Sequence, residues 1–203
     1  MKISNTEVFG FNGAIRGMRN PYDSWDKSDS FNANSGKGYS TFMLGEKDLE
    51  LSKKLIKAGS DHRKFLRMIH VQVDVKAPLY WWKETDTYKI GTVANSCSTM
   101  HTITAKKFGF EDFEQGKRDD ILCDIIVELN NLRKEYLETK EKETWYSIIR
   151  LLPCSYLQLR TLDLNYETLM RMYFARKNHK LTEWHTFCDW IENLPYMREF
   201  INA

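Results

Sequence analysis

The sequence offers little that would hold a metal. Its four cysteines, Cys97, Cys123, Cys154 and Cys188, are far apart, and no Cys-x-x-Cys pair occurs. That spacing argues against a zinc ribbon or a thioredoxin-type centre. The five histidines, His62, His70, His101, His179 and His185, make no ligand set either. His179 and His185 lack the i+3 or i+4 spacing that would place them on one helical face. No Gly-x-Ser-x-Gly elbow surrounds Ser96 or Ser98, so no hydrolase nucleophile is indicated. The Gly-x-Gly at Gly36 and Gly38 follows no strand and lacks the rest of a phosphate loop. The net charge is only +2, which gives no reason to expect DNA or RNA as a partner. No apolar run approaches the length of a membrane span, and no signal-peptide pattern opens the chain. A cytoplasmic protein with reduced thiols is the expectation.

What is present describes an ordinary globular chain. Of its 203 residues 42% are hydrophobic and 29% charged, enough for one domain with a substantial core. Aromatics are abundant, with six Trp, ten Tyr and eleven Phe, and these favour cores and interfaces. Thr6 to Phe11 reads as a short strand. Asn12 to Ser40, rich in Gly, Asn, Ser and Asp, reads as a long loop that packs on the body or on a neighbouring subunit. Glu46 to Ala58 has a helical stripe and stops at Gly59. Met68 to Lys76 alternates, with Ile69, Val71, Val73 and Val75 on one side, and is the clearest strand. Pro78 opens an aromatic helix. Lys117 to Thr139 and Glu141 to Leu152 are amphipathic helices, and Thr182 is expected to cap a last helix. The fold class is mixed α+β, one domain over 1–203, with a central sheet flanked by several helices.

The stretch from Leu151 to Trp190 carries most of the functional information. A strand from Ser155 to Leu164 hands over to a helix from Asn165 to Lys177. Asn165 is a preferred N-cap type, and Glu167 suits the positive end of the helix. Leu169, Met172 and Tyr173 form the buried stripe, and Arg176 continues it one turn beyond Met172. Asn165 and Arg176 lie close to one face, about 16 Å apart along the axis, a span that suits an extended ligand. Arg171 is rotated about 240° from Asn165 and would reach only a ligand from a neighbouring subunit. The plain alternative for Arg176 is a cation interacting with its own helix end.

Leu152-Pro153, the strand, Asn165, Leu169 and Arg176 resemble the C-terminal segment of the flavin-dependent thymidylate synthases. That family has a Leu-Pro pair, a strand rich in Thr and aromatics, an Asn-x-Arg-x-Leu run and a later Arg. Glu167 stands where the family has its first Arg, which reverses the charge. Of a downstream Gln-Trp-Glu pattern only Trp184 is matched, after a one-residue shift. A second family motif is a helix ending in Arg-His-Arg, then a Ser and an Arg-Tyr, which together grip nucleotide and flavin. The layout here is similar: strand Val71 to Val75, helix from Pro78, then a small polar run with Ser96 and Ser98. The Arg-His-Arg itself is absent. Thr85-Asp86-Thr87, or residues near Lys89, take its place, and Ser98-Thr99-Met100-His101 stand at the Ser-x-Arg-Tyr.

The resemblance implies an enzyme that binds FAD and deoxyuridine monophosphate (dUMP) and methylates the nucleotide to dTMP. Methylenetetrahydrofolate would be the carbon donor and NADPH the reductant, in a homotetramer with sites shared between subunits. Arg176, Ser98 and Ser96 would then meet the substrate, and Asn165, Arg171 and Lys89 the cofactor. No catalytic residue is singled out and no metal is implied. Trp81 and Trp82 could stack on a flat ring, or belong to a core or interface. The missing arginines leave a second reading open. It is a divergent, non-catalytic relative that binds a nucleotide or serves as a structural or interaction protein.

Overall fold

The computed structural model describes residues 1–34 and 40–203, so Gly36 and Gly38 lie outside the described residues. The chain begins with strand β1 (Lys2–Phe9) and helix α1 (Phe11–Arg19). Two 3₁₀ turns follow, Asn20–Tyr22 and Trp25–Lys27, and then strand β2 (Phe31–Asn34). Strand β3 (Ser40–Met43) pairs antiparallel with β2, Phe31 opposite Met43. Helix α2 (Glu46–Lys57) leads to a 3₁₀ stretch, Arg63–Met68, and then to strand β4 (His70–Pro78). Helix α3 (Leu79–Thr85), strand β5 (Thr92–Ser96) and the single turn α4 (Thr99–Thr102) come next. The long α5 (Asp119–Thr139) and α6 (Lys142–Leu151) precede strand β6 (Leu157–Asn165). Helices α7 (Tyr166–Arg176), α8 (Thr182–Glu192) and α9 (Met197–Ile201) end the chain. The larger sheet has the strand order β1-β4-β6-β5, so the architecture is mixed α+β.

Alternation explains β4 and β6. Val71, Val73 and Val75 of β4 are 1% exposed or less, while Gln72 lies on the other face. Leu162 and Leu164 occupy the buried register of β6. The opposite face is polar and cross-linked. Asp163 meets His70 Nδ1 at 3.0 Å, and the Thr161 hydroxyl donates to Asp74 at 2.6 Å.

The chain divides into two compact units. One holds residues 1–2, 74–87 and 94–161. Its core joins Phe108, Phe113, Leu122, Leu129 and Ile148, with α5 packed on α6. Asn130 closes that core by clamping Phe108, accepting from its N–H at 2.9 Å and donating to its carbonyl at 3.0 Å. The other unit holds 3–73, 88–93 and 162–203, with α7 packed on α8 and on the Arg63–Met68 turn.

Several expectations are corrected. The segment read as a loop from Asn12 begins as helix α1, with Phe11, Ala14, Ile15 and Met18 buried at i, i+3, i+4 and i+7 spacing. Gly13 and Gly17 obscure that stripe, yet both lie against the Met68 thioether, where a small residue permits close packing. Strand β2 occupies more of the supposed loop. The small polar run after Gly91 contains β5 and α4. Thr182 is the first residue of α8 and makes no side-chain cap.

Candidate functional site

Asn165 is the last residue of β6 and the N-cap of α7, in extended backbone geometry. Its side-chain oxygen accepts the Thr168 N–H at 3.0 Å, satisfying one free donor of the first turn. Glu167, in that same turn, is buried, and Arg63 Nε lies 3.0 Å from its carboxylate. The reversed charge therefore has a counterion from the Arg63–Met68 turn. Further along α7 the Tyr173 hydroxyl donates to Glu192. That hydrogen bond, helped by burial, pushes the phenol up to about 12.

A strap of chain, Tyr88 to Gly91, is fastened along α7 at both ends. At the C-terminal end Arg176 Nε donates to the Tyr88 hydroxyl at 2.8 Å. Its guanidinium lies 5.4 Å from the centre of the Tyr88 ring and 5.0 Å from that of Trp184, within cation–π range. At the other end the Thr168 hydroxyl donates to the Ile90 carbonyl at 3.1 Å. Gly91 then passes Asn165 so closely that a Cβ would sit 2.5 Å from its Nδ2, and its φ of +71° also favours glycine. The span between Asn165 and Arg176, which alone looked suited to an extended ligand, is thus met by the chain's own strap. Lys89 and Ile90 project outward from it, and Ile90 is 81% exposed.

Along α7, Arg176 and Asn165 meet the strap at its two ends, and Lys89 lies between them in the chain of the strap. Arg171 is exposed elsewhere on the same helix. Ser96 and Ser98 belong to the other unit. Ser96 is exposed at the end of β5, and the Ser98 hydroxyl caps α4 by accepting the His101 N–H at 3.2 Å. Trp81 and Trp82 are core residues, 0% and 1% exposed, so neither offers a face to a ligand.

Thr85, Asp86 and Thr87 are engaged locally. The two hydroxyls donate to the Trp81 and Glu84 carbonyls. Asp86 accepts from Arg160 Nη1 at 2.7 Å. Arg160 is a residue the sequence reading missed. Its guanidinium lies 4.3 Å over the Trp82 ring, and its Nε donates to Gln158 at 3.0 Å. The available signal was its register: Arg160 shares the buried-side alternation of Gln158, Leu162 and Leu164, where a charge requires partners.

No protein-family model matches the chain, and no curated protein matches it. Solved structures do. One is the flavin-dependent thymidylate synthase ThyX from Helicobacter pylori, complexed with FAD and dUMP. It is 17% identical, with a TM-score of 0.75, covering 99% of this chain and 97% of that one. A second structure of that ThyX, with FAD and dUMP at 2.31 Å resolution, gives the same values. The fold is that of a flavin-dependent thymidylate synthase.

The residues that stand at the family's Arg-His-Arg and at its Asn-x-Arg arginine do not fit a flavin pyrophosphate. Where Thr85-Asp86-Thr87 take the place of Arg-His-Arg, the arginine places hold threonines and Asp86 between them is paired to Arg160, while Glu167 at the Asn-x-Arg arginine is paired to Arg63. A diphosphate would meet negative charge there, and neither Thr nor Asp replaces a bidentate arginine. Among the described residues no group of three or more His, Cys, Asp or Glu could hold a metal ion. No described helix is long and apolar enough to cross a membrane.

Proposed function

We propose that this protein binds a pyrimidine deoxynucleotide, dUMP or a close relative, on a thymidylate synthase scaffold, without the flavin grip of that family. The observation supporting the nucleotide is the fold match over nearly the whole chain to structures bearing dUMP. Arg176 and Asn165 then act as positioning residues that fasten the Tyr88 to Gly91 strap. Lys89, exposed on the strap, supplies charge for the phosphate, and Arg171, exposed elsewhere on α7, does so for a ligand of a neighbouring subunit. Homotetramer assembly and a cytoplasmic location belong to the same proposal.

A second reading is the complete enzyme. It reductively methylates dUMP to dTMP with FAD bound, methylenetetrahydrofolate as donor and NADPH as reductant. The extent of the fold match favours it, whereas the paired acids Asp86 and Glu167 favour the first reading. Calorimetric titration with dUMP tests nucleotide binding. Wild type should bind saturably, and Lys89→Ala should weaken affinity by about tenfold, near the 1.4 kcal/mol expected of one charge-assisted contact. No binding, or unchanged affinity in Lys89→Ala, would overturn the assignment. A purified protein carrying a visible flavin absorption band would select the second reading.

A further inference from the structure

A cavity lies between α2 and the 3₁₀ turns that follow α1, using no residue of α7 or the strap. Its volume is about 450 Å³, and its walls include Arg19, Tyr22, Lys27, Lys47, Glu50 and Lys54. That size falls within the range of small-molecule sites, about 300–1,000 Å³. Lys47, Glu50 and Lys54 recur at helical spacing, so one face of α2 forms a wall. Lys27 comes from the Trp25–Lys27 turn.

The charge there is uneven. Three lysines face a single carboxylate, Glu50, and none of the four side chains has an ion-pair partner among the described residues. Lysines on a helix face are more often only solvated. Arg19 makes this cavity different. It is 4% exposed, yet lines the wall. Its Nε donates to Asp48 Oδ1 at 2.5 Å, and its Nη1 to the Ser24 carbonyl at 3.2 Å. Its Nη2 makes no hydrogen bond among the described residues.

Asp48 fixes the orientation of that fork. It is fully buried and also accepts from the Ser28 and Ser30 hydroxyls, each at 2.6 Å. Burial opposes its charge. The hydrogen bonds from Ser28, Ser30 and Arg19, with the Arg19 charge, outweigh burial and hold the carboxyl below its ordinary range. The guanidinium is thus pre-positioned by a buried anion, with one donor nitrogen left over, in a wall shared with three lysines. A preset guanidinium with surrounding lysines recognises phosphate oxygens, and exposed Tyr22 adds a flat apolar wall.

We infer that this cavity is a binding site for a small phosphorylated compound, held by Arg19 with Lys27, Lys47 and Lys54. The test is calorimetric titration of the full chain with inorganic pyrophosphate. Wild type should bind saturably with one site, and Lys47→Gln/Lys54→Gln should weaken affinity by at least about tenfold. The control is Lys53→Gln/Lys57→Gln, which removes the same charge from the same helix outside the cavity walls. It should leave affinity within about twofold, since diffuse charge alone is screened over a Debye length of about 8 Å at physiological salt. Three results would overturn the inference: no saturable binding by wild type, equal losses in the two double variants, or citrate binding as tightly as pyrophosphate. Failure of dUMP titration with intact pyrophosphate binding would remove the function proposed above and leave this site standing.

Discussion

Arg176 and Tyr88, 88 positions apart, are joined by a 2.8 Å hydrogen bond from guanidinium Nε to phenol oxygen. The bond, with the cation–π contact beside it, fastens the end of the strap opposite Gly91. Tyr88→Phe keeps the ring beneath the guanidinium and removes the acceptor. It should cost about 1 kcal/mol in chemical denaturation, the net worth of one hydrogen bond to a charged group at partial exposure. Amide exchange should accelerate at residues 88–91 before it does elsewhere on α7.

Gly91→Ala is expected to be worse. The new Cβ would sit 2.5 Å from Asn165 Nδ2 and 2.8 Å from Thr168 Oγ1, at a φ of +71°. Strain of that kind costs about 1–3 kcal/mol. Urea unfolding would measure it, and a loss no larger than that of an exposed surface substitution would show that the strap relaxes freely.

Arg19 and Asp48 form a buried pair whose two halves differ in consequence. Asp48→Ala leaves a guanidinium with no counterion in a site 4% exposed, which should cost about 3–5 kcal/mol. The pH dependence has a definite sign. Folding lowers the Asp48 carboxyl from 3.8, so its contribution is complete above that value and is lost as pH falls through the lower folded value. The stability gap between wild type and Asp48→Asn should therefore narrow as pH drops below 3.8. A gap independent of pH in that window would contradict the arrangement.

The Arg63–Glu167 pair can be inverted. Glu167→Arg would restore the charge found in the thymidylate synthases but set two guanidiniums against each other at a buried helix start. A loss of about 3 kcal/mol is expected. Adding Arg63→Glu should recover part of it, and a double-mutant cycle with no coupling would show that the two charges do not sense each other.

Features carried by local pattern were readable before the structure, and those carried by distant partners were not. Alternation located β4, and a preferred cap type located the start of α7 at Asn165. Arg176 was readable as a cation on the buried stripe, but Tyr88 beneath it was not, because nothing local links residues so far apart. Arg160 and Asp86 are hidden for the same reason. Helix α1 was obscured by composition: its stripe is complete, but Gly13 and Gly17 look like loop residues until Met68 is seen against them. The charge reversal at Glu167 and the missing Arg-His-Arg were visible as departures, whereas the pairing of Glu167 with Arg63 and of Asp86 with Arg160 required coordinates.

Asn165 closes β6 and caps α7 with no residue between them. That seam limits how the chain can change in length. One inserted residue would either move the cap away from Thr168 or shift β6 by one position, turning its buried side outward. Length variation among natural relatives, and tags or permutation points in engineered forms, should therefore avoid this junction and collect in exposed connections. The exposed connection at Gln115 is one such place, ahead of the Gly116 N–H that donates to Asp119 at the start of α5.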